Sequence, residues 1–215
     1  ILQCQETDIK LSKFSLDISF SPEYSYRILK AKEDMYEILV AMSDSMVEPK
    51  FGFTTGIQIN YDILKRLNIE SGIQFTDKGS RMTVSNFVAA DTNDPVLQNL
   101  KSVTTIAKIY YIEVPLKLSY KIVSGKFSLS VFGGLSANLF LDNKTKSILK
   151  YNDGSKDVQS SNREGSFNSI TVSLLTGIGL DYDINNKLCL IFEPIYKRDI
   201  TEINNADDAY YYFYS

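Results

Sequence analysis

The sequence predicts an all-β protein, an eight-stranded antiparallel up-and-down transmembrane β-barrel with short periplasmic turns and long extracellular loops. Three observations predict this fold. Segments of alternating polarity recur along the chain, short and long connections alternate between them, and a tyrosine precedes each short connection. In a barrel that spans a membrane, apolar side chains face the lipid and alternate with polar side chains that face the lumen.

The alternation is clearest in residues 51–62. Odd positions carry Phe, Phe, Thr, Ile, Ile and Tyr, whereas even positions carry Gly, Thr, Gly, Gln, Asn and Asp. Because successive side chains of a strand point to opposite faces, one face is apolar and the other is small or polar. Six more segments show the same split, and they begin at Phe14, Leu67, Tyr110, Phe127, Ile170 and Leu188.

The connections between these segments alternate in length. Short turns at 63–65, 123–125 and 184–186 follow the second, fourth and sixth strands. Long polar segments follow the others, at about 23–50, 77–106, 142–168 and 201–208. This arrangement is typical of outer-membrane barrels. A soluble lipocalin-like ligand-binding barrel is an alternative, and it would reverse the two faces. A narrow outer-membrane pore is another.

Tyrosines mark the ends of three strands. Tyr61, Tyr120 and Tyr182 lie on the apolar face just before the short turns. Tyrosine favours the boundary between lipid and water because its ring is apolar and its hydroxyl is polar. We therefore expect these residues to form an aromatic girdle on the periplasmic side.

Composition fits one domain and limits its function. The 215 residues are 44% hydrophobic and 12% aromatic, and the formal net charge is −3. An acidic balance argues against a nucleic-acid partner, which normally meets a basic surface. No segment has the roughly 20 consecutive apolar residues of a transmembrane helix, whereas a barrel strand needs only about ten with one apolar face.

The chain contains no histidine. This removes His-based triads, His-ligated zinc and most general acid/base schemes. Lipid A-modifying hydrolases and acyltransferases in barrels generally use histidine with serine, so this class is also disfavoured. Cys4 and Cys189 lie far apart and have neither metal-binding nor redox spacing. We predict no catalytic, cofactor or metal site.

Charged residues recur on the predicted lumen face. A barrel of eight strands is just wide enough for side chains to fill it, so ion pairs are favoured over a conducting path. Glu70 and Lys117 lie at similar distances from their turns on consecutive strands and are the best candidates for a pair. The predicted lumenal polar network comprises Asp17, Glu70, Glu113, Lys117, Lys121, Asp181, Glu193 and Lys197.

The first long segment is unusually apolar for an external loop. A short helix over the barrel mouth and a contact surface for another protein are both compatible with it. The candidate contact residues are Met35, Tyr36, Ile38, Leu39 and Met42.

The ends of the chain carry separate expectations. Residues 1–9 are predicted as an N-terminal periplasmic segment that could hold the end of an export signal, and bulky Gln3 disfavours lipidation of Cys4. Residues 10–215 are predicted as the barrel. The eighth strand must begin near Ala209, which leaves too few residues to cross a bilayer. We therefore expect the natural chain to continue past Ser215, or a partner to complete the sheet.

Four segments together resemble Bacteroidota-type outer-membrane β-barrel proteins. Residues 14–27 resemble the first strand and loop of that family, and residues 51–79 its second hairpin. Residues 111–121, with Ile-Glu-Val-Pro-Leu-Lys-Leu, resemble the fourth strand of PorT-like members, and residues 177–197 are similar to the sixth and seventh strands. The resemblance implies an eight-stranded barrel of the OmpA/OmpX kind, and little about activity.

These observations favour a non-enzymatic protein in the outer membrane of a Gram-negative cell envelope. We expect a structural or accessory subunit of an envelope assembly that binds partners through its extracellular loops. The expected partners are outer-membrane lipid and other envelope proteins, without nucleic acid or cofactors.

Overall fold

The computed structural model describes residues 13–31, 38, 41, 46–85, 99–161, 167–185, 187–204 and 209–215. No helix in this part of the chain is long and apolar enough to cross a membrane. The strands are β1 (Phe14–Ala31), β2 (Val47–Leu64), β3 (Leu67–Ser85), β4 (Leu100–Val123), β5 (Phe127–Tyr151), β6 (Lys156–Ser161), β7 (Ile170–Asn185), β8 (Leu188–Phe192), β9 (Ile195–Asp199) and β10 (Ala209–Tyr214).

The antiparallel sheet curves into a barrel. Strands β1 to β5 pair in chain order, β5 pairs with β7, and β10 links β9 to β1. Strands β8 and β9 are two parts of one barrel strand, because both pair with β7 in the same register. Strand β6 folds back on the far end of β5. The described residues thus form eight barrel strands and one added edge strand, which confirms the predicted fold class.

The two faces of the barrel wall have the polarity of a membrane protein. On β2, Ile57 and Ile59 are each 54% exposed on the outer surface, whereas Gln58 and Asn60 are buried in the lumen. The lipocalin-like alternative, which needs an apolar lumen, is therefore wrong. Apolar side chains outside and polar ones inside are what a surrounding bilayer requires.

Two prolines interrupt the ladders without shifting them. Pro115 lies between the pairs Ser71↔Leu116 and Gln74↔Glu113, which keep one register. The carbonyl oxygen of Pro115 accepts a hydrogen bond from Ser71 Oγ at 2.8 Å. Pro194 separates β8 from β9, and its carbonyl oxygen accepts one from the Ile178 amide at 3.3 Å. Each strand therefore continues past its missing donor.

The predicted boundaries of the long segments are wrong, because the strands extend far into them. Strand β1 continues to Ala31, β3 continues to Ser85, and β4 already begins at Leu100. Beyond the bilayer both faces of a strand can be wet, so the ladder persists there without an alternating apolar face.

A tight turn joins β5 to β6 at the far end of the sheet. Gly154 has a φ of 86°, in the left-handed region that glycine tolerates best. Ser155 donates hydrogen bonds to Asp153 Oδ1 from its hydroxyl at 2.6 Å and its amide at 2.8 Å. These bonds hold the pKa of the Asp153 carboxyl below its usual value.

The barrel wall closes at its extracellular end. Strand β10 pairs with Tyr26–Ala31 of β1, and Ser215 exchanges two backbone hydrogen bonds of 2.7 and 3.0 Å with Lys197. Nearer the periplasm, within the described residues, 15–25 of β1 pair only with β2, and β8 pairs only with β7. Among the described residues no strand therefore joins β1 to β8 in this half of the wall, which leaves a gap between them.

Candidate functional site

A periplasmic cluster of ion pairs lies in the lumen near the short turns. Lys117 Nζ is 2.6 Å from Glu70 Oε1 and 2.7 Å from Glu193 Oε2. Strands β3 and β4 supply the first pair, and the link between β8 and β9 supplies Glu193. The ammonium also lies 4.9 Å from the centroid of the buried Phe132 ring, in reach of a cation–π contact. One cation thus joins three parts of the wall.

A central cluster lies farther from the turns. Glu113 is 2.9 Å from both Lys78 Nζ and Lys197 Nζ. Lys197 Nζ is 3.8 Å from Glu23 Oε2, and Lys78 Nζ is 3.9 Å from Asp199 Oδ1. Three carboxylates therefore share two ammonium groups in a site that excludes most water. Buried charges are tolerated only in such paired arrangements.

Apolar side chains cover the extracellular side of the central cluster. Ile109, Tyr111, Ile203 and Phe213 form a buried group, and Phe140 packs against it. The Tyr111 ring lies 5.7 Å from Lys78 Nζ. The lumen is thus filled at successive levels by salt bridges and then by apolar side chains.

The structure brings together five of the eight predicted lumenal residues, in the two clusters. These are Glu70, Lys117 and Glu193 in one, and Glu113 and Lys197 in the other. Asp17 accepts a hydrogen bond from the Asn60 amide. Three of the predicted residues, Asp17, Asp181 and Lys121, are half-buried and lie outside both clusters.

Several charged side chains in the lumen were not predicted from the sequence. Lys78, Asp199 and Glu23 belong to the central cluster, and Lys50 Nζ pairs with Asp77 Oδ1 at 2.7 Å. Most of these positions lie in segments predicted as loops. A signal was present, because the inward alternation of β3 continues through Gln74, Thr76, Lys78 and Ser80, all of which are buried.

Aromatic side chains ring the periplasmic end of the outer surface, and we call them the periplasmic belt. Tyr61 lies 4.8 Å from Phe14 and Tyr182 lies 4.6 Å from Phe127, measured between ring centroids. Tyr120 is 48% exposed on the same face. The three tyrosines predicted as a girdle therefore all lie at this end.

A second set of rings, which was not predicted from the sequence, forms an extracellular belt. Phe20, Phe53, Phe75 and Tyr110 follow one another around four strands, with centroid separations of 6.1, 6.1 and 5.8 Å. Interfacial aromatic belts mark both edges of a membrane. On β4, residues 110–120 thus mark the membrane-spanning part.

Beyond the extracellular belt the strands continue as an extracellular sheet, formed by residues 79–85, 100–109, 143–151 and 156–161. Every side chain of β6 is exposed. Of the predicted contact residues in the first loop, Ile38 is 75% exposed. Met35, Tyr36, Leu39 and Met42 lie outside the described residues.

The chain is similar to a family of known proteins and to solved structures. The sequence profile of the outer membrane protein beta-barrel domain matches residues 7–204. Two solved structures of Ail, the attachment invasion locus protein of Yersinia pestis, are each 15% identical and cover 92% of both chains. Their TM-scores are 0.32, for Ail with the heparin analogue sucrose octasulfate, and 0.34.

No curated protein matches this chain. The family profile covers most of its length, including the strands that supply the lumenal clusters and both belts. The chain belongs to the outer membrane protein beta-barrel domain family, and it is an outer-membrane protein.

Proposed function

We propose that this protein is a non-enzymatic accessory subunit of a cell-envelope assembly and that it binds a protein partner through its extracellular sheet. The main support for the proposal is that β6 forms an exposed edge of the sheet. Within the described residues β6 pairs only with β5, and all its side chains are exposed. Backbone N–H and C=O groups along such an edge are free to pair with a strand of another chain.

The length of the sheet supports a role outside the membrane. Strands β4 and β5 have 24 and 25 residues, whereas about 9–11 residues suffice to cross a bilayer. The resemblance of residues 111–121 to PorT-like proteins is consistent with an accessory role in an envelope assembly.

The filled lumen favours this role over a narrow pore. The periplasmic and central clusters place buried ion pairs across the path that an ion would take. Side chains that fill a small barrel leave no aqueous channel. We expect no stepwise conductance from the full-length protein in planar bilayers, and steady channels would support the pore instead.

The proposal is tested by photo-crosslinking in intact cells. A photoreactive phenylalanine at Val158 of β6, which is 51% exposed, should give one discrete adduct with an envelope protein. The same group at the exposed Leu188, at the periplasmic end, is the matched control and should not give that adduct. Replacing 156–161 by a Gly-Ser linker should abolish co-purification of that protein.

The heat-modifiability of each variant on a denaturing gel reports whether the barrel has folded. A folded Val158 variant without an adduct, or a partner that still co-purifies with the linker variant, would contradict binding through β6.

We also propose that a further strand completes the wall between β1 and β8. The support is energetic, because each unsatisfied backbone group in hydrocarbon costs several kcal/mol. Residues 15–25 of β1 and the strand β8 border this gap.

A further inference from the structure

Cations gather on the outward face of the extracellular sheet, directly beyond the extracellular belt. Lys108 of β4 lies opposite Lys144 of β5, and Ile106 lies between Arg81 of β3 and Lys146 of β5. Paired residues of antiparallel strands share a face, as do residues two apart on one strand. These four cations therefore share the face of Tyr110, and Lys144 Nζ lies 5.8 Å from its ring centroid.

The arrangement is unfavourable without an anion. Like charges directly opposite each other on neighbouring strands destabilise a sheet. Within the described residues Lys144, Lys146 and Arg81 form no salt bridge, although Glu48 lies opposite Arg81 and Asp142 lies opposite Tyr110 on the same face. Asp77 Oδ2 lies 3.9 Å from Lys108 Nζ, but Asp77 Oδ1 is already held by Lys50 at 2.7 Å. Four cations thus share this face with three carboxylates, Glu48, Asp77 and Asp142, and the pair of Lys108 and Lys144 remains directly opposed.

The height of the cations places them at the membrane surface. Lys108 is two residues beyond Tyr110, which is about 7 Å along a strand and less along the membrane normal. Because aromatic belts lie at the level of the lipid headgroups, the ammonium groups lie at that level or slightly above it. They point away from the barrel axis, towards neighbouring lipid.

We propose that Arg81, Lys108, Lys144 and Lys146 bind the phosphate groups of a phosphorylated glycolipid in the outer leaflet. Hydrogen bonds between ammonium or guanidinium groups and phosphate are charge-assisted and strong. Below the cations, Leu139 and Leu141 are 40% and 51% exposed and offer an apolar surface to the acyl chains. The site therefore matches both ends of such a lipid.

The sheet offers a matched control farther from the membrane. Lys150 of β5 lies directly opposite Lys156 of β6, and both are exposed. This pair has the same charge and the same geometry, but it lies six residues beyond Lys144, about 20 Å farther along the strand. A lipid phosphate at the level of the belt cannot reach it, whereas a soluble polyanion can.

The test is native mass spectrometry of the full-length protein in detergent, titrated with diphosphoryl and monophosphoryl lipid A. Diphosphoryl lipid A should bind more tightly than the monophosphoryl form. The double variant Lys108→Gln/Lys144→Gln should weaken the binding of diphosphoryl lipid A by roughly tenfold or more. Each Lys or Arg near an anionic surface contributes a factor of about five to the affinity, and this variant removes two. The control Lys150→Gln/Lys156→Gln should bind it as the unmodified protein does. A retained heat shift verifies folding of each variant.

Three outcomes would overturn the proposal. Equal binding of the two lipids would mean that phosphate is not recognised, and equal weakening by both double variants would indicate a diffuse charge effect. Displacement of the lipid by millimolar inorganic phosphate or by a heparin oligosaccharide would assign the cations to a soluble anion.

Discussion

Lys117 and Glu70 meet across neighbouring strands, with 2.6 Å between Nζ and Oε1, and both side chains are buried in the lumen. Glu193 approaches the same ammonium from the other side of the barrel. We expect Lys117→Met to lower the free energy of unfolding by about 3–5 kcal/mol, because it leaves two carboxylates without their cation. Urea titration of the protein in lipid vesicles measures this change.

A charge swap sharpens this prediction. The variant Glu70→Lys/Lys117→Glu restores the pair between β3 and β4 but places two carboxylates together, at positions 117 and 193. We expect only partial recovery of stability, and fuller recovery once Glu193→Gln is added. Full recovery by the double variant alone would show that Glu193 contributes little to the cluster.

Lys78 is buried between Glu113 and Asp199 in the central cluster. We expect Lys78→Met to lower the free energy of unfolding by about 3 kcal/mol. This value is near the lower end of the range for breaking a buried ion pair, because Lys197 still neutralises Glu113. The exposed Lys101→Met is the control, with an expected change within about 0.5 kcal/mol. Equal effects of the two substitutions in urea titration would contradict a buried role for Lys78.

Gly177 lies where β7 approaches both the Phe132 ring and the Pro194 carbonyl. A Cβ at this position would lie 2.5 Å from Phe132 Cζ and would also clash with the Pro194 carbonyl oxygen. We expect Gly177→Ala to destabilise the barrel by about 1–3 kcal/mol through overpacking. Gly125→Ala is the control, since its nearest contact would be an ordinary 3.6 Å. A thermal scan that shows no difference between the two would contradict this account.

The proposed completion of the wall predicts a pattern of hydrogen exchange. In β1, alternate amides of residues 15–25 point towards β2 and the others towards the gap. If a further strand fills the gap in the full-length protein in nanodiscs, both sets should exchange as slowly as amides of 57–60 in β2, which pair on both sides. Fast exchange of every second amide would show that the edge is open.

The alternation predicted the membrane-spanning part of the fold because lipid imposes it on every second residue. Ile57 and Gln58 had to face opposite ways, and this also placed Glu70, Glu113, Lys117 and Lys197 inside. The sequence could not show which charges meet across the lumen. That depends on barrel closure, which brings Glu193 to Lys117 although the two are distant in the chain.

The extracellular sheet could not be predicted from the sequence, for a physical reason. Residues such as Ser102 and Thr104 lie in a ladder that is wet on both sides, so no apolar face reveals the strand. Lys78 was missed with it, since its segment was assigned to a loop. Continuing the alternation of β3 two steps past Thr76 would have placed Lys78 and Ser80 in the lumen.

The spacing of the two aromatic belts sets a hydrophobic thickness. Tyr110 and Tyr120 are about ten residues apart, a rise of about 33 Å that a strand tilt of about 40° reduces to about 25 Å. A bilayer whose hydrocarbon core is about 30 Å thick would have to compress around this barrel, whereas bacterial outer membranes are thinner than average. Hydrophobic mismatch therefore favours insertion into short-chain lipids and opposes residence in thicker membranes.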